Sequence, residues 1–236
     1  MTTPSGPVLE LSGVSKDYRG LRPLRIVSLT VRPGEHIAIL GLDQTTAEVF
    51  VNLVTGATLP DSGDVRLFGR STSAIADSAD WLAVVDRFGI VSRRAVLLDS
   101  LTVVQNLAMP FTLEIEPPPD DIRRRAVALA QRVGLAETSL DRPVAELGPS
   151  GHARVRLGRA LALDPAVVIL EHATAEVPRE DVTALAVQCR EVPAATIALT
   201  ADPEFAEAVA DRCLTLDAAT GRLHERYGWF SRLWPG

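Results

Sequence analysis

The chain has 236 residues, 47% hydrophobic and 23% charged, a composition that suits one α/β domain with a sizeable core and excludes a disordered or fibrous chain. Its net charge of −6 argues against a nucleic-acid partner, which is usually met by a basic patch. No apolar run approaches the roughly 20 residues of a membrane span, and the first residues have neither the basic start nor the apolar run of a secretory signal, so a cytoplasmic location is expected.

In chain order, Val8 to Val14 and Arg25 to Val31 alternate apolar and polar residues, as half-buried strands do. Pro33-Gly34 marks a turn before His36 to Leu40, a short run of buried-strand character. Gly41 ends it, and Thr46 to Val54 reads as a helix closed by Gly56. Asp61-Ser62-Gly63-Asp64 reads as a turn before a strand at Val65 to Phe68, and Gly89 to Val91 is a further short apolar segment. From Leu101 to about Arg159 the pattern is helical, with Ile122, Ala126, Leu129, Ala130 and Val133 at helical spacing. Pro117 to Pro119 followed by Asp120-Asp121 gives that helix a stiff entry and an acidic start. Strand-like runs return at Val167 to Leu170, Thr196 to Thr200 and Cys213 to Leu216, alternating with helical segments at Glu180 to Arg190 and Pro203 to Ala210. Such alternation predicts a parallel sheet with crossover helices, interrupted by a helical insertion. Cys189 and Cys213 form no CxxC, fit a reducing compartment and are expected to pack in the core. The last residues gather Tyr227, Trp229, Phe230 and Trp234 with Arg226 and Arg232, a short aromatic and basic tail.

Strand, glycine turn and helix at residues 36–54 are the setting of a phosphate loop, G-x-x-x-x-G-K-[ST]. Here the segment reads Gly41-Leu42-Asp43-Gln44-Thr45-Thr46-Ala47-Glu48. Thr46 stands for the second glycine, Ala47 for the lysine and Glu48 for the hydroxyl residue. The single lysine of the chain, Lys16, lies well upstream; the remainder of the 24 basic residues are arginines. At an effective dielectric of about 20, two like charges about 4 Å apart repel by roughly 4 kcal/mol, so Asp43 and Glu48 oppose a phosphate. Glu48 is expected in the first turn of the helix, complementing its positive end as a phosphate would.

Taken together, these segments resemble the nucleotide-binding domains of ABC transporters over about residues 8–225. Lys16-Asp17-Tyr18 resembles the segment with the adenine-stacking aromatic, which places Tyr18 in that role. Phe88-Gly89-Ile90-Val91-Ser92-Arg93 is similar to the strand leading into the glutamine loop, with Arg93 at the glutamine. Leu97-Leu98-Asp99-Ser100-Leu101-Thr102-Val103-Val104-Gln105-Asn106-Leu107-Ala108-Met109-Pro110 resembles the LLP-x-LTV-x-EN-x-x-x-P stretch near the permease-facing surface. Leu147-Gly148-Pro149-Ser150-Gly151 replaces LSGGQ, and Ser150 is read instead as a plain helix N-cap. Arg159 to Pro165 matches RALALDP. Val167 to Thr174 resembles the Walker B strand, with Glu171 at the metal-side aspartate and His172 at the catalytic glutamate. Ile197 to Pro203 resembles the switch strand, with Ala201 at its histidine.

The resemblance implies an α/β, P-loop NTPase-like fold with an antiparallel β element at the N-terminus and an inserted helical subdomain. It implies one domain over 1–236, with a core at 8–94 and 160–225, a helical subdomain at 95–159 and the aromatic tail at 226–236. Nucleotide contacts would fall to Tyr18, Gly41, Thr45 and Thr46, and Walker B chemistry to Glu171 and His172. Partner docking would fall to Arg93, Leu97, Leu98, Leu101 and Thr102. ATP is expected to bind weakly or not at all, and Mg only with ATP. The expected role is a non-hydrolysing structural or regulatory subunit. It would dimerise with, or dock on, a membrane permease or a second ATP-binding subunit, peripheral at the inner face of the membrane. The alternative is an active or weakly ATP-binding transport ATPase energising a permease.

Overall fold

A computed structural model describes residues 6–225. The aromatic tail of the sequence lies outside these residues. Two sheets are stacked on one another. The first is antiparallel, with β1 (Leu9–Lys16), β2 (Leu24–Val31), β4 (Ser62–Leu67) and β5 (Arg70–Ser71) in the order β2-β1-β4-β5. The second contains β3 (His36–Leu40), β6 (Phe88–Val91), β7 (Val167–Glu171), β8 (Ala195–Leu199), β9 (Arg212–Asp217) and β10 (Arg222–Glu225), ordered β10-β9-β3-β8-β7-β6. Its pairs are parallel except β9 with β10.

Seven α-helices accompany the sheets among the described residues. They are α1 (Gln44–Val54), α2 (Ser78–Val85), α3 (Val103–Ala108), α4 (Asp120–Arg132), α5 (Pro149–Leu161), α6 (Arg179–Arg190) and α7 (Pro203–Val209). Every residue of β3, β7 and β8 is buried, as expected for parallel strands covered on both faces. The two-residue period of the strands then divides the core. Ile37, Ile39, Ile169 and Ile197 join α1 and the antiparallel sheet in one cluster. Ala38, Leu40, Leu170 and Ala198 join residues of α3 to α7 in the other. The helical stretch therefore shares a continuous apolar core with the sheet.

Some boundaries differ from the sequence pattern. The expected turn at residues 61–64 is already strand from Ser62, because β4 pairs with β1 through an irregularity between Ser12 and Ser15. Gly63 makes that crossing possible. Its φ is +83°, and a Cβ there would lie 2.4 Å from the Gly13 carbonyl. α1 begins at Gln44, two residues before the apolar pattern, because Asp43 caps it. β5, α2 and β10 carry no periodic signal long enough to announce them.

Both cysteines are buried. Burial pushes the Cys189 thiol up to about 12, so almost no thiolate exists at neutral pH. Cys189 is expected to react with a thiol reagent only after denaturation. A colorimetric thiol assay on native and unfolded chain checks this, and rapid native labelling at Cys189 would contradict it.

Candidate functional site

The strands β3, β7 and β8 end along one edge of the parallel sheet, and the residues singled out from the sequence gather there. β3 stops at Gly41, whose φ is +91° and whose Cβ would approach the Leu216 carbonyl to 3.0 Å. The chain then turns into α1 with Asp43 as N-cap, and the Asp43 carboxylate accepts the Thr46 amide at 2.7 Å. Hydrogen bonds from the Thr46 hydroxyl and the Thr46 amide hold the Asp43 carboxyl below its ordinary range. The first turn of α1 contains no acidic residue, so the expectation for Glu48 is corrected. Helix entry at Gln44 places Glu48 in the second turn, and the anion on the helix N-terminus is Asp43.

Ala47, read from the sequence as standing at the lysine position, is fully buried in the core between α1 and the sheets. Lys16 ion-pairs with Asp61 at 2.8 Å. Tyr18 reaches the loop with its hydroxyl, 3.0 Å from Thr46 Oγ1. Thr45 is exposed beside it. Tyr18, Gly41, Thr45 and Thr46 are thus brought together around one helix N-terminus.

Glu48 faces the end of β7 across a guanidinium. Arg94 donates from Nη2 to Glu171 Oε2 at 2.6 Å and ion-pairs through Nη1 with Glu48 Oε1 at 2.9 Å. The Glu171 side chain is 1% exposed, against 40% for Arg94 and 45% for Glu48. Sequence reading singled out Arg93, but Arg93 points elsewhere and pairs with Glu176 at 2.9 Å. Arg94 was missed because the segment after β6 has no period with which to choose between adjacent arginines. The doublet itself was the only signal.

His172 follows Glu171 with φ +47°, a conformation that costs a non-glycine residue about 1 kcal/mol. Its amide donates to Leu199 O at 2.8 Å, which ties the end of β7 to β8. Its ring Nε2 is buried and meets no hydrogen-bond partner among the described residues. A cavity of about 280 Å³ adjoins it, lined in part by Thr200, Ala201 and Asp202. No group of three His, Cys, Asp or Glu among the described residues is placed to hold a metal ion.

Two further expectations change. Ser150 does not cap α5. The cap is Gly148, and Ser150, inside the first turn, donates to Asp181 Oδ2 of α6. Of the residues expected to dock a partner, Leu97 is buried in the core and Thr102 is the N-cap of α3, in a capping box with Gln105. Leu101 is half-buried, with its backbone carbonyl and amide taken by Val144 and Leu98. Leu98 is exposed, and so are two apolar residues not singled out, Val96 and Leu163. Near them a groove of about 350 Å³ runs between β6 and α5, lined by Ala95, Met109, Pro110, Arg156, Arg159 and Leu163 among others.

The sequence model of the ABC transporter family matches residues 24–175. The chain belongs to the ABC transporter family. Among its relatives is the methionine import ATP-binding protein MetN of Brucella abortus, 28% identical over 217 residues. That match covers 90% of this chain and 58% of the relative, so the chain spans little more than half the length of MetN. The lipoprotein-releasing system ATP-binding protein LolD of Pseudomonas fluorescens is 34% identical over 148 residues, 63% of this chain and 64% of LolD. The dimeric ATP-binding cassette MJ0796, bound to ADP and Pi, superposes with a TM-score of 0.74 at 19% identity, covering 94% of this chain and 100% of that one. This ABC transporter chain thus has the mixed α/β fold of the family, with its antiparallel sheet and helical insertion. Among the described residues no helix is long and apolar enough to cross a membrane.

Proposed function

We propose that this chain is a non-hydrolysing member of the ABC transporter family, a structural or regulatory subunit. It docks on a membrane permease or pairs with a second ATP-binding subunit. The observation that carries the proposal is the Asp43 carboxylate on the Thr46 amide at 2.7 Å. The amides at a helix N-terminus are what a phosphate loop offers its nucleotide. Here one of them is taken by the chain's own anion, and buried Ala47 offers no cation.

The other parts fit Mg-ATP no better. Glu48 replaces the hydroxyl that would meet the metal, and it is engaged by Arg94. His172 stands where a catalytic carboxylate is expected, and its buried Nε2 meets no hydrogen-bond partner among the described residues. Phosphoryl transfer rests on positioning and charge neutralisation, and these residues supply neither. Docking is supported by the groove at Ala95, Met109 and Pro110 with exposed Val96, Leu98 and Leu163 beside it. On this reading residues 8–94 and 160–225 form the core, and 95–159 the part that meets the permease at the inner face of the membrane. MetN and LolD, named for import and release systems, are ATP-binding proteins of assemblies of this kind.

Calorimetric titration of the purified chain with Mg-ATP tests the proposal. The expected dissociation constant is weaker than about 1 mM. Binding in the micromolar range, with ATP turnover that disappears on denaturation, would replace it with the active transport ATPase.

A further inference from the structure

In P-loop ATPases a divalent cation is held between the hydroxyl residue of the phosphate loop and the acidic residue of the Walker B strand. Glu48 and Glu171 occupy those two positions, and one guanidinium bridges them, at 2.9 Å and 2.6 Å. The fit is chemical as well as geometric. A guanidinium is permanently charged, planar and two-pronged, so it can serve two carboxylates at once. Glu171 is almost wholly buried, and a buried carboxylate without a counter-charge is strongly unfavourable. Arg94 is its ion-pair partner among the described residues.

The same segment is anchored at nearly every residue. Arg94 also donates from its amide to Ser92 Oγ at 3.2 Å. Arg93 pairs with Glu176 at 2.9 Å. The Ala95 carbonyl accepts from Arg156 Nε at 3.4 Å, and the Val96 carbonyl from Arg159 Nη1 at 2.7 Å. Leu97 is buried. Asn106, itself fully buried, accepts from the Leu98 amide at 2.9 Å and donates to the Leu98 carbonyl at 3.0 Å.

We infer that Arg94 is a built-in cation standing in the metal's place, clamping residues 92–98 onto α1 and β7 with neither nucleotide nor metal. The inference rests on the reading that the chain does not use Mg-ATP, and it specifies what replaces that control. The groove beside Val96, Met109 and Pro110 keeps one shape throughout, so the chain offers its partner a fixed platform.

Amide hydrogen exchange on the full chain, followed by mass spectrometry, tests this. Wild-type exchange in residues 92–98 is expected to be the same in Mg-ATP and in EDTA. Arg94→Gln is expected to speed exchange there about tenfold, while β7 and β8 stay protected as a check on folding. Arg94→Lys, which keeps the charge, is expected to recover part of the protection. Glu48→Gln, at a half-exposed position where misfolding is a small risk, is expected to loosen the same segment. Wild-type exchange at 92–98 in both Arg94→Gln and Glu48→Gln overturns the clamp. Loosening by Arg94→Lys equal to that by Arg94→Gln overturns the role of the charge. Protection of residues 41–48 by Mg-ATP is a different result: it sinks the reading that the chain does not use Mg-ATP, whatever residues 92–98 do.

Discussion

Asp43→Gly, Ala47→Lys and Glu48→Ser combined are expected to bind Mg-ATP at least about tenfold more tightly than the wild-type chain, whereas Ala47→Lys alone is expected to gain little. The relative size of the charges decides this. A charge-assisted hydrogen bond from a new lysine contributes about 1.5–3 kcal/mol. Each carboxylate about 4 Å from a phosphate opposes it by roughly 4 kcal/mol at an effective dielectric of about 20. A lysine added by itself meets Asp43 and Glu48 first and is neutralised by them. Ala47 is also fully buried, so the longer side chain must thread out of the core, at about 1–3 kcal/mol of overpacking. Removing Asp43 releases the Thr46 amide, and removing Glu48 frees Arg94 from one of its two partners. Calorimetric titration of the single and triple variants measures the difference. Restoration of binding by Ala47→Lys alone would show that the carboxylates are not the obstacle. On the proposed reading the triple variant is still expected to turn over no ATP, because His172, not a carboxylate, follows Glu171 at the end of β7.

A large loss of stability is expected from Gly89→Ala. β6 and the C-terminal end of α5 approach so closely that a Cβ at Gly89 would lie 2.2 Å from the Ala160 carbonyl oxygen. Gly89 sits in a sheet strand and Ala160 in a helix, so neither backbone can move aside as a flexible side chain can, and the Pro165 ring adds a contact at 3.1 Å. Overpacking of this kind costs about 3 kcal/mol, which lowers Tm by about 6–12 °C in a chain of this size. Gly89 also lines the groove beside Met109 and Pro110, so on the docking proposed above the variant is expected to weaken partner binding as well. Gly148→Ala is the control. Nothing lies within 4 Å of a Cβ there, and its expected cost is below about 1 kcal/mol. Thermal unfolding of both variants checks the pair. A Gly89→Ala chain that melts within 2 °C of wild type, roughly 1 kcal/mol, would mean that α5 moves off β6 at almost no cost.

The sequence by itself determined the order of the strands and helices other than β5, α2 and β10, the parallel sheet and the absence of a lysine from residues 41–48. Those features are local. A two-residue or helical period and a glycine turn are written in neighbouring residues, as in His36 to Leu40 followed by Gly41. Tertiary structure alone decided what fills the site. Arg94 and Glu171 are 77 residues apart, and nothing in the segment after β6 distinguishes Arg94 from Arg93. Asp43 rather than Glu48 became the anion at the helix N-terminus because a cap fixes the first turn, and a cap is a matter of backbone geometry. Leu97 turned inward and Val96 outward for a similar reason. A non-periodic segment takes its facing from the elements that grip it, here the arginines of α5 and the amide of Asn106.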